Sequence, residues 1–332
     1  RWTERNEVAF SLPPTYLALE PADIITLDIP GRPLDIRIVS IHYTPSGRME
    51  VKGRFYAPAT YTSTASGVAG PLPGTAIPLA GRARYTLIDC ATVHPAQDTY
   101  GVLAAMSGYT DGWPGGIIYR SVDDGAAWNV FATFADAVPL GSAVNAIGSA
   151  PAGLIDTASR LQVRIGGGAL ASVTQLQMFN GANHFAYGVD GRWEIIAAQN
   201  AELQADGSYI LSNLLRGRFG TEHNMGNHAA GDGVVQLSDP DIAFATLPAT
   251  GVGAPALYRG VTSGAPLDSA ANASFTYGGV NLKPLAPVYL NGSRNAGDWS
   301  LSWIRRSRTD GEWRNSVDAA LGEASESYDL EI

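Results

Sequence analysis

The sequence is poor in cysteine and in charge. It has one cysteine, Cys90, and only 16% of its 332 residues are charged. A single cysteine excludes an internal disulfide and any metal or iron–sulfur site that needs several cysteines from this chain. No apolar run approaches the roughly 18 residues that a membrane-spanning helix needs. With 45% apolar residues, the chain is still too hydrophobic to be disordered.

Positive charge is the scarcer sign. Lysine and arginine total 22 against 31 aspartate and glutamate, a net charge of −9. This balance argues against a specific nucleic-acid-binding surface. Lys52 and Lys283 are the only lysines, and we attribute the excess of arginine to coding bias and not to mechanism.

Glycine and proline, by contrast, are abundant, with 38 and 20 residues. They separate short stretches that alternate apolar and polar residues, which is the strand period. Helical signals are scarce, and residues 239–246 are predicted to form at most two turns. The predicted fold class is therefore mainly β, with several small antiparallel barrel or sandwich domains. The predicted strands are 24–29, 34–43, 49–57, 86–88, 101–106, 116–120, 128–134, 160–165, 175–179, 193–198, 209–211 and 233–237.

Composition shifts predict five segments. A β-meander at 1–61 closes a small barrel, 62–84 is a linker, and 85–247 is a β-rich domain. A second linker or extended segment follows at 248–282. Residues 283–332 resemble the first half of a fibronectin type III sandwich, with a strand at 326–332. Both ends look cut, so we expect an internal piece of a longer polypeptide.

One turn motif stands out in the β-rich domain. Ser121, Asp123, Gly125 and Trp128 fit the S-x-D-x-G-x-x-W pattern of the Asp box, which is seen in sialidase propellers. Asp-Gly favours a hairpin turn, and the Ser and Asp oxygens can accept from its amides. Because only one copy is present, we favour a structural turn over a glycosidase blade.

Other candidate chemistry is weakly supported. Glu194, Glu202 and Glu222 are suited to glycoside hydrolysis, which needs two carboxylates facing each other, but their spacing does not indicate this. Glu222, His223 and His228 suggest a metal site, yet the segment is a poor helix. There is no G-x-S-x-G elbow, and 166–168 (Gly-Gly-Gly) reads as a tight turn. The sequence predicts no catalytic residue, cofactor or metal.

A wider pattern is recognisable. Residues 209–222, YILSNLLRGRFGTE, resemble the LS-x-LLRG-x-x-GTE signature of phage-type tail-tip proteins. They resemble more closely the large baseplate hub protein of gene transfer agents, the "megatron" or host-specificity component. Matching context lies at 19–25 with 37–38, 180–183 with 190–195, and 299–306 with 321–328. The resemblance spans nearly the whole chain, and Ala22 departs from it where the family tends to have glycine.

The resemblance implies a structural component of a phage-like tail tip or baseplate that acts by assembly and not by catalysis. Residues 1–61 would end the hub barrel and 85–247 would build the tip. The implied partners are a homotrimer at the tail axis, other baseplate and tail proteins, and a receptor or glycan of the host surface. The implied location is the tail of a virion-like particle made in the bacterial cytoplasm, with a role in host attachment or envelope penetration and DNA delivery.

The signature itself reads as a structural latch, with a receptor contact as the minority interpretation. We expect Leu214 and Leu215 to anchor a strand end and Arg216 to pair with Glu222 across the loop. Gly217 and Gly220 allow turn dihedrals, and Thr221 completes the motif.

The alternative function is a carbohydrate-binding or glycoside hydrolase protein acting on cell-envelope glycans. Convergence of two of the three glutamates named above in a cleft would favour it.

Overall fold

The computed structural model describes residues 5–58, 81–110, 112–309 and 318–330. The chain divides into two compact units, Arg1–Ala76 and Ile77–Ile332. All strand pairs in the described residues are antiparallel, so the mainly β fold class predicted from sequence is confirmed. In the described part, no helix has the length and apolar character needed to cross a lipid bilayer.

The first unit is a four-stranded sheet in the order β1-β4-β3-β2. One face is buried around Ile38, Met49 and Val51, as expected for strands that alternate apolar and polar residues. The three strands predicted in this region are confirmed. Most of the predicted linker at 62–84 lies outside the described residues. The strands are β1 (Glu7–Leu12), β2 (Ile24–Ile29), β3 (Arg32–Tyr43) and β4 (Met49–Phe55).

The second unit contains sixteen further strands and one α-helix among its described residues. They are β5 (Ala83–Ile88), β6 (Gly101–Gly108), β7 (Gly116–Ser121), β8 (Asn129–Phe134), β9 (Leu140–Ala143), β10 (Ile155–Asp156), β11 (Leu161–Gly166), α1 (Gln175–Phe179), β12 (His184–Gly188), β13 (Glu194–Leu203), β14 (Tyr209–Arg218), β15 (Gly233–Gln236), β16 (Ala243–Thr246), β17 (Pro255–Thr262), β18 (Ala273–Thr276), β19 (Val288–Asn295) and β20 (Asp298–Ile304).

Six of these strands close into a barrel. The ring runs β14-β11-β9-β15-β12-β13 and returns to β14, while the two-residue β10 pairs with the remaining length of β14. Side chains alternate between the two faces of a strand, so every second residue points inward. The interior is filled by buried apolar side chains, including Phe185, Ile196, Leu211 and Leu214.

The outer face of the barrel is also buried over much of its area. Two sheets, β16-β6-β5 and β18-β17-β7-β8, share one core with outward-facing barrel residues such as Ala186, Ile195 and Val235. This core includes Cys90, which is 4% exposed. The helix α1 covers another part of the barrel, where Met178 packs with Ala197 and Leu215.

Two sequence-based predictions are wrong in this unit. Residues 175–179 form a helix and not a strand, because Thr174 and Gln177 make a reciprocal capping box at its start. Residues 239–246, predicted to form at most two turns, form one hydrogen-bonded turn from Asp239 to Ile242 and then β16, which pairs with β6. The segment 248–282 is not a linker, because β17 lies between β18 and β7 in a sheet.

The C-terminal region forms a two-stranded hairpin. β19 pairs with β20 across residues 288–304. Residues 326–330 form no strand, which corrects the predicted strand at 326–332 for its described part. The fibronectin-like character of the region stays a prediction.

Candidate functional site

The recognised signature lies on β14 and on the turn that follows it. Leu214 points into the barrel and Leu215 points outward against Met178. Between β13 and β14 the register shifts, with Ile195 opposite Arg218 but Ala197 opposite Leu215. The extra residue makes a β-bulge, and Gly217 within it has φ +56°.

The sequence predicts that Arg216 pairs with Glu222, and this prediction is wrong, because Arg216 pairs with Glu194. Its Nε and Nη2 donate to the two carboxylate oxygens of Glu194 at 2.7 and 2.8 Å. Both side chains are fully buried. Strand pairing explains the choice of partner: Glu194 opens β13, directly beside the bulge in β14, whereas Glu222 lies beyond the turn.

Two further donors complete the surroundings of Glu194. The bulge frees the Gly217 amide, which donates to Glu194 Oε1 at 2.9 Å, and His228 Nε2 lies 2.8 Å from Oε2. The His228 ring stacks on Tyr187 at a centroid distance of 3.9 Å. The carboxylate therefore has four close donor atoms, from three residues, and is fixed in place at the end of the barrel interior.

The network extends in two directions. Arg216 Nη1 donates to the Gly148 carbonyl at 2.9 Å and lies 3.4 Å from Asp156 on β10. On the other side, Asp232 lies 3.4 Å from His228 Nδ1 and accepts two bonds of 2.6 Å from Arg192. Arg192 Nη1 also donates to the Asn227 carbonyl. The network thus ties the loops at 148, 192 and 227–232 to the end of the barrel.

The carboxylates of the network stay ionised. Burial alone would raise the pKa of Glu194, but the bonds from His228 and Arg216 outweigh it and lower the pKa. Burial likewise opposes ionisation of Asp232 and Asp156. At Asp232 the hydrogen bonds from Arg192 and from the Ala229 amide outweigh burial, and the pKa is lowered. At Asp156 the hydrogen bonds from Ser159, together with the charge of Arg216, outweigh burial, and the pKa is lowered. Groups held in this way stabilise local structure and are poorly placed to exchange protons with a substrate.

The remaining signature residues shape the turn after β14. Thr221 Oγ1 accepts from the Ile195 amide at 2.9 Å and donates to the Arg218 carbonyl at 2.7 Å. Gly220 has φ +83°, and a Cβ there would lie 2.5 Å from Leu285 Cδ2. Glu222 accepts from Arg306 Nη1 at 2.6 Å. The turn therefore contacts the C-terminal region as well as the barrel.

A cleft of about 600 Å³ lies beside this turn and is lined by Arg218, Glu222 and residues 305–309, among others. Its arginines are mostly paired. Arg305 pairs with Glu326 at 2.8 Å, and Arg308 pairs with Asp98 and Glu323, each at 2.7 Å. The pairs Arg305–Glu326 and Arg308–Glu323 join parts of the C-terminal region to each other, and the pair Arg308–Asp98 joins that region to the rest of the unit.

The Asp-box residues form a turn between β7 and β8. Ser121 Oγ donates to Asp123 and accepts from the Gly125 amide at 2.7 and 2.9 Å. Asp123 also accepts from the Ala127 amide at 2.9 Å. Trp128 Nε1 donates to the Gly125 carbonyl, and Arg259 stacks over its ring at 4.5 Å. The Ser121 hydroxyl, Asp123 Oδ1 and the Trp128 indole N–H are thus all hydrogen-bonded within the turn.

The three candidate hydrolase glutamates have separate roles. Glu194 is buried in the ion network, Glu222 pairs with Arg306, and Glu202 is exposed near the far end of β13. Glu202 lies eight positions along β13 from Glu194, which is about 27 Å at the usual rise of a strand.

The candidate metal residues are not brought together either. His228 contacts Glu194, whereas His223 lies 3.2 Å from the Gly220 carbonyl. Among the described residues, no group of three or more His, Cys, Asp or Glu side chains is arranged to hold a metal.

Sequence reasoning missed most of the network. Arg192 and Glu194 lie inside the recognised stretch at 190–195, so that stretch was a usable signal for them. His228 was considered only as a metal ligand, and Asp156 and Asp232 carried no signal, because only the closed barrel brings these distant residues to one end.

Two ranges of the chain match known families, and one of them is close to the range of the barrel strands. Residues 138–235 match the family described as "Rcc01698-like, C-terminal", a range that contains the barrel strands up to Val235 and every charged member of the network. Residues 1–41 match the family described as "Putative phage tail protein". The chain is therefore similar to phage tail proteins over its first strands. None of the curated proteins matches the chain.

Proposed function

We propose that this chain is a structural part of the tail tip or baseplate of a phage-like particle of the gene transfer agent type. The observation that carries the proposal is the match of residues 1–41 to a putative phage tail protein. The second match supports it, since its range coincides with a closed structural domain. In this proposal the protein forms a homotrimer around the tail axis and contacts other baseplate proteins.

The proposal assigns no catalytic step to this chain. Its support is that the candidate carboxylates are already paired: Glu194 has four close donor atoms from three residues, and Glu222 pairs with Arg306. Glycoside hydrolysis requires two carboxyl groups within about 5 to 10 Å on either side of a sugar. The alternative hydrolase function has no comparable observation in its favour, and we do not adopt it.

Cryo-electron microscopy of purified particles tests the proposal. We expect density for residues 5–58 and for the six-stranded barrel at the distal end of the tail, repeated three times around the axis. Loss of the gene should give particles that lack this density and fail to deliver DNA to recipient cells. Particles that contain no copy of the chain would contradict the proposal.

A further inference from the structure

The second unit has a further, smaller pocket that is lined by charged groups of both signs. Its volume is about 290 Å³, at the small end of the range of small-molecule sites. A cavity of this size suits a ligand no larger than a single amino acid. The stretches of chain that line it lie wholly within the described residues and are 89–91, 191–193, 219–224 and 280–286.

Asp89 is the negative group of the pocket. It directly follows β5 and is 6% exposed. Its Oδ2 accepts from the Gly278 amide at 2.7 Å and its Oδ1 from the Val280 amide at 2.9 Å, so the carboxylate is fixed in place. Burial raises the pKa of Asp89, the two amides oppose this, and the nearby charge of Asp190 adds to it. A bound cation would stabilise the ionised carboxylate against the effect of burial.

Lys283 is the positive group of the pocket. It is exposed, and in the described part of the chain no carboxylate pairs with it, whereas the nearby Arg306 pairs with Glu222 at 2.6 Å. Lys283 and Asp89 act on each other electrostatically but do not form an ion pair. Two opposite charges that line one small pocket without touching are complementary to a ligand that carries both signs.

Much of the remaining wall is apolar. Phe219 and Leu285 contribute to it and supply surface for an apolar side chain.

Trp193 adds an unused hydrogen-bond donor to the wall. The residue is 5% exposed, and its Nε1 is buried without a hydrogen-bond partner. The opposite edge of its ring, Cη2 and Cζ3, faces Gly233. A buried donor that is left unpaired costs free energy, and an oxygen of a bound ligand would recover it.

We propose that this pocket binds a free α-amino acid with an apolar side chain. The ammonium group of the ligand faces Asp89, and its carboxylate pairs with Lys283 and accepts from Trp193 Nε1. Its side chain lies against Phe219 and Leu285. The inference goes beyond the proposed function and does not rest on it, because it uses only the chemistry of the pocket.

Isothermal titration calorimetry of the full 332-residue chain with L-phenylalanine tests this. Two analogues each remove one charge from the ligand: N-acetyl-L-phenylalanine lacks the ammonium group, and L-phenylalaninamide lacks the carboxylate. We expect L-phenylalanine to bind and each analogue to bind about tenfold more weakly or less, since a hydrogen bond to a charged group is lost in both cases.

Lys283→Gln identifies the site. It should weaken the binding of L-phenylalanine about tenfold and leave the binding of L-phenylalaninamide unchanged, because the amide has no carboxylate to pair with Lys283. Lys283→Arg keeps the charge and should weaken binding less. The matched control is Lys52→Gln, which removes the only other lysine, an exposed residue on β4 that does not line the pocket; it should bind like the wild type.

Equal binding of either analogue, unchanged binding of L-phenylalanine by Lys283→Gln, the same loss in Lys52→Gln, or no binding of L-phenylalanine at all would each overturn the inference. If Lys283→Gln lowers the thermal midpoint, the two analogues decide the result, because they are measured on the unaltered protein. Particle microscopy does not depend on this pocket, so its failure and a failure of amino-acid binding are separate outcomes.

Discussion

Arg216 and Glu194 form a two-pronged ion pair, with bonds of 2.7 and 2.8 Å between fully buried side chains. The pair joins a bulge in one barrel strand to the first residue of its neighbour. A buried ion pair contributes little net stability compared with apolar residues, but removing one partner leaves an uncompensated charge. The end of the barrel is therefore sensitive to single substitutions at either residue of the pair.

Arg216→Met should destabilise the protein by about 3 to 5 kcal/mol, because it strands the Glu194 carboxylate. Urea unfolding followed by circular dichroism measures this. The double variant with Glu194→Leu should lose less than the sum of the two single variants, since the residues interact directly. Arg164→Met is the matched control: its pair with Asp206 is exposed, and we expect little change. If Arg216→Met lowers the free energy of unfolding no more than Arg164→Met does, the ion network is not needed for the stability of the fold.

Stability should fall in acid. The folded-state pKa of Glu194 lies below its ordinary value of 4.5, so the unfolded chain takes up its proton first as the pH falls. The contribution of Glu194 is therefore complete above pH 4.5 and is lost as the pH drops through the lowered value. Urea unfolding at a series of pH values should show this slope, and Glu194→Gln should flatten it. An equal slope in both proteins would contradict the assignment.

Gly217→Ala should lower the stability of the protein more than Gly191→Ala does. Both glycines have positive φ, +56° and +81°, but a Cβ at Gly217 would lie 2.8 Å from Glu222 Cα, whereas nothing lies within 4 Å at Gly191. Backbone strain costs about 1 to 2 kcal/mol at either site, and the contact with fixed backbone adds to it only at Gly217. Thermal unfolding of the two variants gives the comparison. Equal losses would mean that the turn can shift to accept the side chain.

Cys90 should be unreactive in the folded protein. Burial raises the pKa of its thiol to about 12, and the thiolate is the reactive form. Ellman's reagent at pH 8 should therefore modify the native protein very slowly and the urea-unfolded protein at once. As Cys90 is the only cysteine, the rate reports directly on opening of the core around it. Fast reaction of the native protein would place Cys90 outside a stable core.

Local patterns were sufficient for most strands and insufficient for the site. Alternation predicted 24–29, which the structure has as β2 with the same bounds. It failed at 175–179, where the capping box of Thr174 and Gln177 stabilises the start of a helix.

The partner of Arg216 was missed for a different reason. Sequence proximity favoured Glu222, six residues away, but strand pairing places Glu194 closer in space. Contacts set by barrel closure depend on register between distant strands, and register cannot be read from one segment alone.

Closure of the barrel also limits how this domain can join its neighbours. An open sheet presents unpaired amide and carbonyl groups along its outermost strands, and another polypeptide can add to them. Each strand of the six-stranded ring pairs with two others of the ring, and β10 pairs with a further length of β14. Neighbours of the barrel therefore have to recognise it through side chains and surface shape, which allows docking of preformed parts and gives little opportunity for uncontrolled strand-by-strand polymerisation.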